Sequence, residues 1–243
     1  MHAKRLTAPR VLKIPKRVSR FIVKPSPGPH PADRSIPLLV LIRDVLGYAR
    51  NAREAKRIIK AGKVLVDGRV RKDHKYPVGL MDVLSIPEAE VHRLVVMDRR
   101  GRLVLREIEA EQAGSKLCRI ENKTIVKGGH VQLNLHDGRN VLVRVKNPEK
   151  PEEDVYTTGD SLLIDLGSGE IKAHLRYSSG SLAYITGGRH RGELARIEEI
   201  RKVRGCQPNV VVLSRDSERF ETIEDYVFVV GEQEPVLRGV FEQ

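Results

Sequence analysis

Most positions of the segment SIPLLVLIRDVLGYA, residues 35–49, are apolar. Such a segment leaves almost no polar face for solvent, so the pattern predicts a short helix that is mostly buried. Pro37 is tolerated in the first turn of a helix, and Gly47 lies near the expected end. We therefore expect the first helix of the chain here.

A second helix, from about residue 52 to 61, has start and stop signals at both ends. Asn51 and Glu54 have the spacing of a capping box, and Gly62 stands where a helix commonly ends in a left-handed residue. At about 100° per residue, the apolar positions share one side of this helix and four cations share the other. The apolar side consists of Ala52, Ala55 and Ile59, with Ile58 beside them, and the cationic stripe consists of Arg53, Lys56, Arg57 and Lys60.

The sequence KVLVDGRVRK, residues 63–72, has the pattern of a β-hairpin. Two short apolar runs flank Asp67-Gly68, a dipeptide that favours a type I′ turn because both residues tolerate positive φ. The hairpin carries four more cations, Lys63, Arg69, Arg71 and Lys72. Two short helices followed by a hairpin would form a compact module with one charged surface.

Beyond residue 90 the pattern is that of short strands. LVVMDRRGRLVLRE, HVQLNLHDGRNVLVRV and SLLIDLGSGEIKAHLRY each place apolar or alternating residues around a turn rich in Gly and Asp. The polar, proline-containing stretch at 147–154 is expected to be a loop. LAYITGGRHRGELARIEEI, PNVVVLSRD and YVFVVG follow at the spacing of a small barrel. The expected fold class is α+β, β-rich and multi-domain.

The first 35 residues have neither pattern. They contain nine Lys or Arg, one acid and six prolines, and Pro removes a backbone donor and fixes φ. We expect an extended basic segment that does not fold alone. Two interpretations stay open, a disordered solubilising tail or an arm that becomes ordered against phosphate groups, and the charge favours the arm.

The positive charge is concentrated at one end of the chain. The formal net charge of the 243 residues is +12, and the pI is about 9.8. Residues 1–80 hold 20 Lys or Arg against 5 acids, whereas the remaining residues hold 24 against 27. Such a surface favours nucleic acid or another anionic partner. Cations and acids in alternation would indicate a helix face that is merely solvated. Glu54 is the only acid on the second helix, so the pattern favours an anionic partner.

Few residues point to catalysis or metal binding. Cys118 and Cys206 lack C-x-x-C spacing, which predicts a reducing compartment and no disulfide framework. The eight histidines are scattered, and no metal-binding, P-loop or nucleophile-elbow spacing is present. No apolar run is long enough to span a bilayer, and no secretory signal is visible. We expect no cofactor, no metal, no small-molecule substrate, no membrane association and a cytoplasmic location.

Two segments resemble known modules. IRDVLGYARNAREAKRIIKAGKVLVDGRVRKD resembles the S4-type RNA-binding domain, and AYITGGRHRGELARI resembles a KOW motif, in which Gly192 matches the key glycine. With MHAKRLTAPR, PSPGPHP and YPVGLMDVLSI, in this order, they resemble small-subunit ribosomal proteins of the S4e family over essentially the whole chain. That family belongs to archaeal and eukaryotic ribosomes.

The resemblance implies a structural, non-catalytic protein that binds small-subunit ribosomal RNA and neighbouring ribosomal proteins. It implies four parts: an extended basic arm at 1–35, an S4-type domain at 36–97, a central β domain at 98–174 and an SH3-like KOW barrel at 175–243. Two other function classes stay open, an RNA-modifying enzyme with an appended S4-type domain and a transcription-associated adaptor that contacts polymerase through the KOW domain.

The candidate RNA-binding residues are the cations of the arm, the helix stripe and the hairpin. They are Lys4, Arg5, Arg10, Lys13, Lys16, Arg17, Arg20, Lys24, Arg53, Lys56, Arg57, Lys60, Lys63, Arg69, Arg71 and Lys72. A second group could meet either RNA or protein: Arg43, Arg50, Arg189, His190 and Arg191. The last three belong to the KOW-like loop, where nearby glutamates reduce the positive charge and an exposed tip without a partner is an equal alternative.

Overall fold

The structure is a computed structural model that describes residues 3–147, 152–215, 218–237 and 239–241. It divides into two compact units, Met1–Lys116 and Leu117–Gln243. Strands predominate and helices are few and short, so the expectation of a β-rich fold with several sheets is confirmed. No helix in these ranges is long and apolar enough to cross a membrane. Residues 148–151 of the loop expected at 147–154 lie outside the described residues.

The first unit combines short helices with small antiparallel sheets. Its strands are β1 (Ala3–Lys4), β2 (Phe21–Ile22), β3 (Ile36–Pro37), β4 (Leu65–Val66), β5 (Arg69–Val70), β6 (Pro77–Val78), β7 (Val83–Ile86), β8 (Val91–Met97) and β9 (Leu103–Glu107). Its helices are α1 (Leu38–Val40), extended by a wider π-type turn at Leu41–Val45, and α2 (Ala52–Lys60), with 3-10 turns at Arg5–Thr7, Pro87–Ala89 and Gln112–Gly114. The strand orders are β1-β2, β3-β6 and β5-β4-β7-β8-β9.

The second predicted helix and the hairpin are both confirmed. Helix α2 begins after Asn51 and ends at Lys60, and Gly62 follows with φ of 78° in the left-handed region. Strands β4 and β5 pair around Asp67 (φ 52°) and Gly68 (φ 71°), the two positive φ values that a type I′ turn requires. These elements follow their sequence signals because the signals are local.

The first predicted helix is shorter than expected. Ile36 and Pro37 form β3 and pair with β6, so Pro37 precedes the helix and does not lie in its first turn. The amide of Leu38 donates to the Tyr76 carbonyl at 2.9 Å, which holds the start of the helix against the segment before β6. Leu46 N donates to the Leu41 carbonyl five residues earlier, the bond of a π-type turn. Residues 38–42 are nevertheless fully buried, as predicted.

The N-terminal arm packs into the first unit, a contact that the sequence did not predict. Strands β1 and β2 pair within the arm, and Ala8, Leu12 and Ile22 join the same hydrophobic core as α1 and α2. Leu103 N of β9 donates to the Val11 carbonyl at 2.9 Å, so the arm also bonds to the sheet. The buried side chains are apolar residues spaced between the prolines. Their burial was not predicted, because the expectation rested on the charge and proline content of the arm.

In the described part of the second unit the strands form two five-stranded sheets. The first has the order β12-β11-β10-β13-β14 and the second the order β18-β17-β16-β15-β19. The strands are β10 (Ser115–Ile125), β11 (Val131–Leu135), β12 (Asn140–Val143), β13 (Ser161–Asp165), β14 (Ile171–Leu175), β15 (Leu182–Ile185), β16 (Leu194–Arg201), β17 (Val210–Arg215), β18 (Glu218–Ile223) and β19 (Val227–Gly231), with a 3-10 turn at Glu224–Tyr226. Alternating apolar residues such as Val131, Leu133 and Leu135 bury one face of the first sheet, as period-two strands require.

Candidate nucleic-acid interface

Helix α2 divides its side chains between a packed face and a cationic face. Ala55 and Ile59 are fully buried against the core of the first unit. Arg53, Lys56, Arg57 and Lys60 are exposed, and together with Ala61 they line one open groove of about 690 Å³. Among the described residues, none of these four cations has an ion-pair partner. The cationic stripe is therefore available to an external anion.

The caps of α2 explain why its one acid does not neutralise the stripe. Glu54 N donates to Asn51 Oδ1 at 2.9 Å, and Arg50 N donates to Glu54 Oε2 at 2.9 Å. The Glu54 carboxylate thus serves the first turn, where its negative charge also suits the helix dipole. Arg57 and Lys60 lie in the last turn, where positive charge is favourable. The local sequence stabilises the helix and leaves its cations unpaired.

His74 reports the electrostatic field of this surface. The pKa of His74 is lowered, first because partial burial disfavours the charged ring and then because the positive charge of Lys56 is close. Lys75 and Lys60 act in the same direction, against the opposing effect of Asp73. A cationic neighbourhood that disfavours one more positive charge will favour a phosphate.

The hairpin cations differ in availability. Arg69 and Lys72 are exposed and, in the described part of the chain, have no ion-pair partner. Lys63 pairs with Glu88 at 2.7 Å. Arg71 is half-buried, and its guanidinium lies over the Tyr76 ring at 4.4 Å, a cation–π contact that fixes its position. Arg69 and Lys72 thus extend the available surface beyond α2, whereas Lys63 and Arg71 already have partners.

The arm contributes exposed cations but loses one candidate. Arg5 is 1% exposed, its Nε donates to the Pro15 carbonyl at 2.7 Å, and Nη2 lies 3.5 Å from Asp44. A guanidinium held in this way holds the arm loop closed, so its burial and internal partners argue against Arg5 as an RNA contact. Lys16 is half-buried and donates to the Ala8 carbonyl at 3.2 Å. The exposed candidate cations of the arm are Lys4, Arg10, Lys13, Arg17, Arg20 and Lys24, and Arg34 of the same segment is also exposed.

The second group of candidates divides in the same way. Arg43 makes a two-point contact with the adjacent Asp44, at 3.2 and 2.8 Å, whereas Arg50 is exposed. Arg189 and Arg191 are exposed at the KOW-like loop. The side chain of His190, between them, contacts other residues of the second unit.

His190 belongs to an internal cluster of the second unit. Its Nδ1 lies 3.3 Å from Glu193, and its ring stacks on Phe220 at 4.0 Å between centroids. Burial alone would raise the pKa of Glu193, but hydrogen bonds from Arg215 and His190 hold that pKa below its usual value. His190 therefore supports the loop, and the two flanking arginines are the side chains that it presents to solvent.

A buried ionic network, which the sequence did not predict, holds the hairpin turn in place. Lys116 Nζ lies 2.7 Å from Asp67 and 2.5 Å from Asp82, and His30 of the arm lies 3.0 Å from Asp82. Burial favours a neutral Asp82, but the charge of Lys116 and the contact with His30 outweigh it and lower its pKa. Burial and the nearby Asp82 raise the pKa of Asp67, against the attraction of Lys116. The only sequence signal was a lysine inside the apolar run SKLCRI.

Cys118, His136 and Asp137 lie close enough together to hold a metal ion, with one ligand atom of each within 4.8 Å of the others. Each side chain already has a role in the sheet. Cys118 donates to Asp137 at 3.8 Å, Asp137 pairs with Arg139 at 3.2 Å, and His136 Nδ1 accepts from Arg119 N at 3.2 Å. The lone pair of Nδ1 and both oxygens of the Asp137 carboxylate are thus already engaged, so these contacts account for the cluster as a link between β10 and the β11–β12 turn.

Comparison with known proteins gives a consistent result. Three family descriptions match the chain: Ribosomal family S4e at residues 89–171, S4 domain at 37–84 and RS4NT domain at 1–33. A protein of Methanocaldococcus jannaschii named small ribosomal subunit protein eS4 is 56% identical over 238 residues, covering 98% of this chain and 96% of its own. Its namesake from Methanococcus maripaludis strain C5 is 52% identical over 237 residues, with 97% and 96% covered.

A solved structure extends the comparison to the fold. The crystal structure of the 30S ribosomal protein S4e from Thermoplasma acidophilum aligns with a TM-score of 0.70 at 32% sequence identity. The alignment covers 86% of this chain and 100% of that one.

Proposed function

Because this chain belongs to the S4e family of ribosomal proteins, we propose that it is a structural component of the small ribosomal subunit and binds ribosomal RNA. Its partners are small-subunit ribosomal RNA and neighbouring ribosomal proteins, and it acts in translation on the cytoplasmic ribosome. We propose that its role is structural and not catalytic. Relatives named as ribosomal proteins and matched over nearly their whole length favour this function over an RNA-modifying enzyme or a polymerase adaptor.

The observation that carries the RNA-binding surface is the set of four exposed cations on one face of α2, unpaired in the part of the chain that the structure describes. Two exposed arginines of the second unit show the contrast, because glutamates neutralise them: Arg201 pairs with Glu221 at 2.7 Å, and Arg219 with Glu198 at 2.9 Å. The four cations of the α2 stripe lack such partners within the described residues. Unpaired like charges on one rigid face repel one another, and an anionic partner relieves that repulsion.

This surface suits the backbone of folded RNA. The deep, narrow major groove of A-form RNA is poorly accessible to side chains, so duplex RNA is recognised mainly by its shape and its phosphates. Each Lys or Arg that meets a phosphate releases counterions, which makes binding strong at low salt and weaker as salt rises. The caps of α2 and the hairpin turn fix the backbone that carries the cations before RNA binds. The entropy cost of ordering this surface on binding is therefore small.

The division of labour along the chain is also part of this proposal. We assign the arm to residues 1–35, the S4-type domain to 36–97, the central β domain to 98–174 and the KOW barrel to 175–243. The buried Gly192 has φ of 78° in a turn where its amide donates to the Ile185 carbonyl at 2.7 Å, which supports its match to the KOW glycine. Arg189 and Arg191 are the loop side chains that we assign to a contact with RNA or protein.

Sedimentation of a cell lysate on a density gradient tests the ribosomal assignment. Fractions would be probed for this protein with an antibody at low and at high salt. We expect the protein to migrate with the small subunit and to leave it only under strongly dissociating salt. A protein that runs mostly free, or with RNA polymerase, would overturn the assignment.

A binding assay tests the surface itself. The purified chain would be titrated against transcribed small-subunit ribosomal RNA over a series of salt concentrations. We expect affinity to fall linearly with salt on a double logarithmic plot, with a slope set by the number of phosphates contacted. Reversal of charge on the α2 stripe should reduce both the affinity and the slope, and an unchanged slope would place the RNA contact elsewhere.

A further inference from the structure

We propose that a second groove of the first unit binds the phosphate backbone of the ribosomal RNA, between the arm and the turn that joins β8 to β9. The inference rests on the proposed function and deepens it by adding a contact that the S4-type surface does not include. The open groove measures about 550 Å³, and its cations are Arg10, Lys13, Lys16, Arg100 and Arg102. The α2 groove has none of these residues in its lining.

Backbone pairing holds the arm side of this groove in place. Leu12 forms a parallel bridge with Leu103 of β9, and Leu103 N donates to the Val11 carbonyl at 2.9 Å. Leu12 and Leu103 are 6% and 2% exposed, so their side chains anchor the same segment in the core. Arg10 and Lys13 flank this anchored segment in sequence. Their positions are therefore fixed by the fold and do not depend on bound RNA.

An aspartate organises the other side of the groove. Asp98 Oδ1 accepts from the amides of Arg100 and Arg102, both at 2.9 Å, and Oδ2 accepts from Arg102 Nη2 at 2.7 Å. Partial burial would raise the pKa of Asp98, but these hydrogen bonds lower it, so the carboxylate stays ionised in the turn. The Asp98 carboxylate is thus committed to shaping the turn, and Arg100 is left exposed at the tip of that turn.

The remaining charge of the groove has no internal partner. Within the described ranges, the side chains of Arg10, Lys13 and Arg100 are exposed and form no ion pair. Arg102 is engaged by Asp98, and Lys16 donates to the Ala8 carbonyl at 3.2 Å. Three available cations therefore converge on one open groove, from two segments about 90 residues apart in sequence.

The chemistry of the groove favours a phosphate backbone over an acidic protein. A protein partner needs apolar or aromatic anchors at the centre of its interface. The apolar side chains here offer little, because Leu12 is buried and Ile14 is half-buried in the core of the unit, and the small ring of Pro15 is the exposed apolar group of the lining. Exposed Lys and Arg in an open groove, without an apolar anchor, are the usual contacts to phosphate oxygens.

The test compares three double charge reversals in the purified full chain. The groove variant, Lys13→Glu with Arg100→Glu, reverses two charges of the groove. The stripe variant, Arg53→Glu with Lys60→Glu, reverses two charges of the α2 stripe. The loop variant, Lys202→Glu with Arg204→Glu, makes the same charge change on an exposed loop of the second unit. Binding to transcribed small-subunit ribosomal RNA would be measured by filter retention at several salt concentrations. Melting temperatures of all three variants should match that of the unsubstituted chain, and Lys13→Gln with Arg100→Gln gives a milder pair if they do not.

We expect the groove variant to reduce the salt slope by about 1.4 to 1.8, since each of two lost phosphate contacts changes it by roughly 0.7 to 0.9. The stripe variant should act in the same way, and the loop variant should change the slope little. If the stripe variant loses slope but the groove variant does not, the groove proposal fails and the proposed function stands. If the unsubstituted chain shows no salt-dependent binding to this RNA, the proposed function fails.

Two further results would overturn the groove proposal specifically. If the loop variant loses as much slope as the groove variant, the effect is one of net charge and not of this groove. If the groove variant binds naked RNA normally but fails to join small subunits reconstituted from purified RNA and proteins, the groove contacts a ribosomal protein. Ultraviolet crosslinks from the peptides around Lys13 and Arg100 to RNA would support the proposal independently.

Discussion

Lys116 donates a hydrogen bond to Asp82 across 2.5 Å, in an interior where neither side chain is more than 1% exposed. The same ammonium group meets Asp67 of the hairpin turn, and Asp82 also meets His30 of the arm. Lys116 thus joins the hairpin turn to Asp82, and Asp82 in turn holds the arm through His30. A buried charge of this kind is tolerated only while its partners remain.

Lys116→Met should destabilise the protein strongly. The substitution keeps the length of the side chain but leaves Asp67 and Asp82 without their cation, so we expect a loss of about 3–5 kcal/mol in the free energy of unfolding. Urea denaturation followed by circular dichroism measures it. The matched control is Lys63→Met, which removes an exposed pair with Glu88 and should cost less than about 1 kcal/mol. Equal losses in the two variants would show that the buried network adds nothing.

Stability should depend on acid pH through Asp160. This buried carboxylate accepts from Tyr177 N at 2.7 Å and Thr157 N at 2.8 Å, and it lies 2.7 Å from His174. Burial would raise its pKa, but these bonds outweigh burial and lower it. The folded state therefore binds the proton more weakly than the unfolded state, and the stabilisation is complete above the ordinary Asp pKa of about 4 and declines as pH falls towards the lower folded value.

Asp160→Asn isolates this contribution. We expect the variant to lose about 1–3 kcal/mol at neutral pH. The difference from the unsubstituted chain should shrink as pH falls from about 5 to 3, because Asp160 of the unfolded chain takes up a proton in this range while that of the folded chain does so only at lower pH. Urea unfolding at a series of pH values measures it, with Asp33→Asn at an exposed position as control. A difference that stays constant with pH would contradict the assignment.

Arg57→Glu should weaken binding to small-subunit ribosomal RNA and leave the melting temperature almost unchanged, because Arg57 is exposed and belongs to the α2 stripe. Filter binding and thermal denaturation measure the two properties separately. A large fall in melting temperature for Arg57→Glu would mean that the residue is structural.

Lys60→Ala should reduce the salt slope of binding by about one, the effect of one lost phosphate contact. Filter binding at several salt concentrations measures the slope.

Gly79→Ala should be poorly tolerated for a steric reason. A Cβ built at Gly79 would lie 2.2 Å from the His30 ring, and the amide of Gly79 donates to Asp82 at 2.8 Å. Since the ring is itself held by Asp82, we expect an overpacking cost of about 1–3 kcal/mol or more. Gly114→Ala is the control, because nothing lies within 4 Å of a Cβ there. Chemical denaturation of both variants tests the contrast, and similar stabilities would show that His30 moves aside easily.

The sequence predicted those elements whose signals lie within a few residues. The bounds of α2 follow from Asn51, Glu54 and Gly62, and the hairpin follows from Asp67-Gly68, because caps and tight turns depend on local backbone conformation. The first helix was predicted too long because Ile36 and Pro37 pair with β6, more than 35 residues further along the chain. Such pairing overrides a local apolar pattern, and periodicity alone does not reveal it.

The candidate site was predictable in part for the same reason. The α2 stripe is set by helical periodicity, so its exposure follows from Ala55 and Ile59 packing inwards. The burial of Arg5 depends on Pro15, Ser19 and Asp44, which the fold brings to it, and charge alone suggested the opposite. Lys116 was missed because its partners come from other segments. The place of Arg100 beside Lys13 likewise follows from the pairing of the arm with β9, which no motif records.

The pairing of Val11 and Leu12 with β9 has a consequence for self-association. Strand β9 is the outermost strand in the order β5-β4-β7-β8-β9, so one of its sides would present unpaired amides and carbonyls to solvent. The arm covers that side at Leu103. A chain lacking its first twelve residues would lose this cover as well as positive charge. The exposed side of β9 could then pair with strands of other molecules, and the truncated protein would tend to aggregate before it binds RNA.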